Sequence, residues 1–174
     1  MKRAEIEQRA TQILRDHDLL GIPVDPLKVA RALGIKVMNA VFSDPSKSGV
    51  VTKRGNTFSI FLNTNEPPDR KRFTIAHEIG HGLLHMNIDE ESEFVDNDDN
   101  FRATETSDTE AWTDERRREW EANAFAGALL INEELLRQKW QDNKDPNILA
   151  WMFQVSPTAM IVRLTQIGLI DALP

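Results

Sequence analysis

Hydrophobic and polar positions along the chain alternate between two rhythms, one of helices and one of strands. Over residues 3–20, Ile6, Ala10, Ile13, Leu14 and Leu20 recur near helical spacing, and Gly21 follows as a stop. In V24-D-P-L-K-V-A-R-A-L-G34, Asp25 is placed to cap a short helix, Pro26 to open it and Gly34 to end it. I35-K-V-M-N-A-V-F42 reads as a strand. S48-G-V-V-T and T57-F-S-I-F-L-N flank K53-R-G-N56, the pattern of a hairpin. After Pro67-Pro68 the helical period returns and runs through residues 73–86. A second long helix is predicted from about Asp114 to Leu130, then three short ones: N132-E-E-L-L-R-Q-K-W140 capped by Asn132, D145-P-N-I-L-A-W-M-F153, and S156-P-T-A-M-I-V-R-L-T-Q166, ended by Gly168. Between the long helices, residues 88–111 hold no sustained period and few large apolar side chains, which predicts a long, flexible acidic loop.

The chain has 174 residues, enough for one domain with a small helical appendage. The expected division is a core over 1–131 and a helical subdomain over 132–174, packed on the core. Hydrophobic residues at 40% and charged ones at 28% are the proportions of a soluble globular protein. The charged opening M1-K-R-A-E-I-E-Q-R-A lacks the apolar run of a signal peptide, and no window approaches the ~18 apolar residues of a membrane span. A cytoplasmic protein without membrane contact is the expectation. Zero cysteines exclude disulfides and thiolate metal sites. Of the net charge of −7, residues 88–111 carry −9 (ten acids, one arginine), leaving +2 for everything else. No basic face suggests direct binding of nucleic acid.

Three of the four histidines fall in F73-T-I-A-H-E-I-G-H-G-L-L-H-M86. On a helix, His77 and His81 lie one turn apart with β-carbons about 5–6 Å from each other, close enough for both imidazoles to reach one zinc. Glu78 lies about 100° round the helix from His77, beside the metal, where it can act as general base on a water. Ile75, Ala76, Ile79, Leu83 and Leu84 make the rest of the helix apolar, so the histidines need partners. Gly80 and Gly82 each cost roughly 1 kcal/mol against alanine in mid-helix, which a close approach of sheet or substrate would explain. His85 is about 12 Å along the axis from His77 and cannot share the zinc with it. It reads as a helix-end histidine, or as one that meets substrate or oxyanion. His17 reads as a surface residue.

A third ligand must be a carboxylate from elsewhere, and R116-R-R-E-W-E-A-N-A-F-A-G-A-L-L-I131 offers Glu119 and Glu121. They are about 200° apart on a helix, so both cannot face one metal. Glu119 is favoured, because Asn123 follows one turn on and can orient a histidine ligand, whereas Phe125 follows Glu121. Ala122, Ala126, Leu129 and Leu130 look like packing positions that bring this helix close to the first.

The paired motifs F73-T-I-A-H-E-I-G-H-G-L-L-H and E119-W-E-A-N-A-F-A-G-A-L-L-I resemble the ImmA/IrrE family of zinc metallopeptidases, over the whole chain. The resemblance implies an α+β, gluzincin-like fold: a small, mostly antiparallel sheet packed on two metal-bearing helices, with a C-terminal helix-turn-helix-like segment. It implies one Zn2+ per chain held by His77, His81 and Glu119, with Glu78 as catalytic base. Members commonly cleave helix-turn-helix repressors of mobile elements or stress responses and so induce genes. Asn132 stands where the family often has proline, and the acidic insertion 88–111 departs from the family pattern.

The expected reaction is peptide hydrolysis by a zinc-activated water, with Glu78 moving its proton to the leaving amine. With no tyrosine in the chain, an oxyanion helper would come from His85, from Arg116 to Arg118 or from backbone N–H. Substrate could add as a strand along T57-F-S-I-F-L-N63, unless that strand is interior. A second function keeps the zinc but only senses or sequesters the repressor without routine proteolysis. DNA reading by the helix pair in L149–G168 is disfavoured, because its second helix offers Arg163 and Gln166 as its long polar residues.

Overall fold

The structure, a computed structural model, describes residues 1–44, 46–86, 93–97 and 112–171. In chain order the elements are α1 (Arg3–Asp16), α2 (Pro26–Ala32), β1 (Lys36–Ala40), β2 (Lys47–Arg54), β3 (Thr57–Asn63), α3 (Pro68–His85), β4 (Glu93–Asn97), α4 (Asp114–Leu130), α5 (Glu133–Asp142), α6 (Pro146–Phe153) and α7 (Pro157–Gln166). This is the expected α+β arrangement of one small sheet against two long helices.

Local chemistry sets most boundaries. Asp25 accepts hydrogen bonds from the Leu27 and Lys28 amides at 3.0 and 3.4 Å to open α2, and Gly34, at φ +72°, closes it. Thr113, Asn132, Asp145 and Ser156 each accept a backbone amide at the start of α4, α5, α6 and α7. α1 ends four residues before the expected Leu20. Asp18 takes a left-handed φ of 56°, and the Leu19 amide turns back to the Leu14 carbonyl at 2.8 Å, so the apolar Leu20 lies beyond the helix. Its spacing had extended the helical period by coincidence.

The sheet order is β1-β3-β2-β4. β1 pairs parallel to β3, while β2 pairs antiparallel to both β3 and β4. Gly55, at φ +57°, turns the β2–β3 hairpin between Arg54 and Thr57. Two sequence expectations change here. Thr57–Asn63 is an interior strand, hydrogen-bonded on both sides, so it cannot take a substrate strand. Residues 93–97, expected to be loop, form the edge strand β4 on β2. Five residues with only Phe94 and Val95 apolar carry too little alternation to announce a strand, and the β2 ladder supplies what the pattern lacks. The remaining parts of the acidic stretch lie outside the described residues.

One continuous core joins the elements, running from Ile6, Ala10 and Leu14 of α1 through Ile60, Ile75, Ile79 and Phe125 to Leu149, Phe153, Met160 and Leu164. α6 and α7 meet at 107° across a three-residue turn, the angle of a helix-turn-helix pair. Arg163 of α7 is 2% exposed. It spends its guanidinium on both carboxylate oxygens of Glu7 in α1, and donates from Nε to the Ile131 carbonyl at 3.0 Å. Among the described residues, no single helix is long and apolar enough to cross a membrane.

Candidate metal centre

The site lies where α3 packs between the sheet and α4. Glycines set both distances. A Cβ at Gly80 would stand 3.2 Å from the Ala122 Cα and 3.3 Å from its carbonyl oxygen, so a larger residue would push α4 back by a few tenths of an ångström. A Cβ at Gly82 would meet the Phe58 ring of β3 at 3.4 Å. The approach of α4 therefore accounts for Gly80, whereas the sheet lies at ordinary van der Waals distance from a Cβ at Gly82 and does not require glycine there. A third glycine, which no sequence motif singled out, matters more to the chemistry. A Cβ at Gly49 of β2 would lie 2.5 Å from Thr74 Cγ2 and 3.3 Å from Glu78 Oε1. Glycine within a strand commonly marks such a close approach, and that was the available signal.

With α3 and α4 in contact, His77, His81 and Glu119 converge and are buried, at 0%, 0% and 7% exposure. The two Nε2 atoms are 2.8 Å apart. Glu119 Oε1 is 3.2 Å from His81 Nε2, and Oε2 is 3.4 Å from His77 Nε2. Among the described residues this is the group of histidine and carboxylate side chains able to hold a metal ion together. Donor atoms on one tetrahedral zinc, at bond lengths of about 2.0–2.2 Å, stand roughly 3.3 Å from one another. The two His–Glu edges match that spacing, and the His–His edge is tighter by about half an ångström. Glu119 Oε2 is buried and takes no hydrogen bond among the described residues, so its lone pairs are left for another partner. The donor set fits a divalent ion.

Protonation states agree. Burial, with His77 beside it, pushes His81 down to about 4 against the pull of Glu119, so its imidazole is neutral at pH 7. Burial would raise Glu119, but the His77 and His81 rings beside it outweigh that and hold the carboxyl down to about 2. Neutral imidazoles and an ionised carboxylate are what metal ligation requires.

The other expected residues are placed as follows. Asn123 Oδ1 accepts from His77 Nδ1 at 2.9 Å, leaving His77 Nε2 for the convergence point. Glu78 is fully buried on the side of α3 that faces Gly49. Glu121 stays away from the three-residue cluster and meets His85, with Oε2 2.9 Å from His85 Nε2, while the Met1 amino group bonds its other oxygen. Hydrogen bonds from that amino group and from His85 overcome the effect of burial and lower the Glu121 carboxyl. His85 in turn has Nδ1 3.1 Å from His81 Nδ1. Arg116 and Arg117 are exposed, one over the Trp112 ring and one paired with Asp114. His17 is exposed at the end of α1.

Among solved structures, a Mycobacterium tuberculosis transcriptional regulator aligns with a TM-score of 0.63 at 17% identity, over 92% of this chain and 47% of that one. The chain thus spans about half the length of that regulator, and at this identity the likeness is one of fold. No curated protein sequence matches the chain. The family model of the IrrE N-terminal-like domain, Peptidase_M78, matches residues 30–165. That span takes in the H77-E-I-G-H81 helix, the sheet and the Glu119 helix, and covers well over half of the sequence. The chain belongs to the metallopeptidase family of IrrE N-terminal-like domains.

Proposed function

We propose that the chain is a cytoplasmic zinc-dependent endopeptidase, holding one Zn2+ and cleaving a helix-turn-helix transcriptional repressor. The observation that carries this reading is the convergence of His77, His81 and Glu119, with Glu78 buried one residue from the first ligand. Zinc bound by these three would supply Lewis acidity toward the scissile carbonyl and bring the pKa of a water down to about 7. Glu78 would serve as general base, taking a proton from the attacking water and delivering it to the leaving amine nitrogen. Gly49 leaves room for this carboxylate beneath β2. Asn123 keeps the His77 ring in the tautomer whose Nε2 carries the lone pair that a metal would take.

The test pairs metal content with cleavage. Native mass spectrometry is expected to find one zinc per parent chain, and none in Glu119→Ala. Glu78→Gln should keep its zinc and cut repressor about 10²–10⁴-fold more slowly. If Glu78→Gln relieves repression as fully as the parent does, the chain works by sequestering its repressor, and the peptidase reading fails.

A further inference from the structure

The peptidase chemistry above makes no use of His85 or Glu121, although their side chains are only 5% and 9% exposed. They form a chain of contacts ending on a ligand: Glu121 Oε2 to His85 Nε2 at 2.9 Å, then His85 Nδ1 to His81 Nδ1 at 3.1 Å. The direction of each hydrogen bond follows from the atoms. An ionised carboxylate only accepts, so His85 donates from Nε2. A neutral imidazole protonated at Nε2 has a bare Nδ1, which only accepts. His81 must then donate from Nδ1, and its own Nε2 keeps a lone pair. That Nε2 is the atom facing His77 Nε2 and Glu119 Oε1.

We propose that Glu121 and His85 are a positioning pair for His81, fixing its Nδ1–H tautomer and ring plane so that Nε2 faces the metal. The proposal rests on the reading that His77, His81 and Glu119 hold zinc. It gives His81 what Asn123 gives His77, so each ligand imidazole has its own acceptor at Nδ1. The two acceptors come by different routes, one directly from α4 and one through a further residue of α3.

Two measurements on the full chain test this. The first is the dissociation constant for Zn2+, by competition with a chromogenic chelator, in the parent, His85→Ala, Glu121→Gln, Glu121→Ala and the double variant His85→Ala/Glu121→Ala. Removing either residue should weaken zinc binding by about 10–100-fold, as loss of an outer partner of a metal-bound histidine does. The double variant should bind no more weakly than His85→Ala, because Glu121 acts through His85. Glu121→Gln keeps the side-chain volume, so it carries the test if the alanine variants fold poorly. The second is the imidazole 15N spectrum of the zinc-loaded parent, expected to show His85 protonated at Nε2 and bare at Nδ1. A purely structural role would not fix that signature. Zinc affinity within twofold of the parent in both His85→Ala and Glu121→Gln, or a proton on His85 Nδ1, overturns the positioning pair alone. A parent chain that takes up no zinc from supplemented buffer overturns the metal reading, and the pair with it.

Discussion

Glu119 and Glu121 stand two residues apart on one helix and serve different histidines, and this divides what sequence could and could not show. The candidate ligand pair His77 and His81 was legible because its geometry is local: four residues on a helix put two rings one above the other whatever surrounds them. The preference for Glu119 followed from Asn123 one turn on, which does accept from His77. The destination of Glu121 was not legible, since its partner His85 lies on another helix and the meeting depends on how α3 and α4 cross. Asn123→Ala separates these roles. It leaves the three candidate ligands in place but removes the acceptor at His77 Nδ1, so zinc affinity should fall about 10–100-fold. A chelator competition checks the fall, and a thermal melt of the metal-free chain measures separately the cost of removing the acceptor from the buried His77 Nδ1–H.

The elements were readable at the starts that a cap residue writes in the chain, less so at the end of α1, which closes at Asp16 and not at Gly21, and poorly where a neighbour decides. Asp25, Asn132, Asp145 and Ser156 all cap as expected, whereas β4 exists through its pairing with β2, which no pattern within residues 93–97 reveals. Glycines inside the two long helices give a direct contrast at this scale. Gly80→Ala gains helix propensity of about 1 kcal/mol but forces a methyl to within 3.2 Å of the Ala122 backbone, and overpacking of this kind costs about 1–3 kcal/mol. The α3–α4 contact should lose that contest, with a lower urea midpoint and weaker metal binding, since the ligand set spans the two helices. Gly127→Ala in α4 meets nothing within 4 Å, so it should raise stability by up to about 1 kcal/mol and leave the metal site unchanged. If chemical denaturation shows Gly80→Ala raising stability as Gly127→Ala does, Gly80 does not serve the close approach of α4.

Across the whole molecule, the C-terminal helices are tied by a buried cation to the helices that pack around the candidate metal site. Arg163 reaches from α7 to Glu7 of α1 and to the carbonyl of Ile131 at the end of α4, linking the last helix to both elements that back the site. The same contacts remove the arginine that a DNA-reading second helix would need, which agrees with the apolar composition of α7. A guanidinium at 2% exposure depends on its carboxylate. Glu7→Ala leaves that charge buried without its partner and should cost about 3–5 kcal/mol. Arg163→Met in the same background removes the stranded charge and fills similar volume, so the double variant should recover most of the loss. Urea denaturation of the two single variants and the double gives the coupling between them. If Glu7→Ala costs under about 1 kcal/mol, Arg163 is reaching water rather than Glu7, and α7 is held to the core by its apolar face alone. If instead the coupling is large and zinc affinity falls in Glu7→Ala, the clamp also steadies α4, and with it the carboxylate of Glu119.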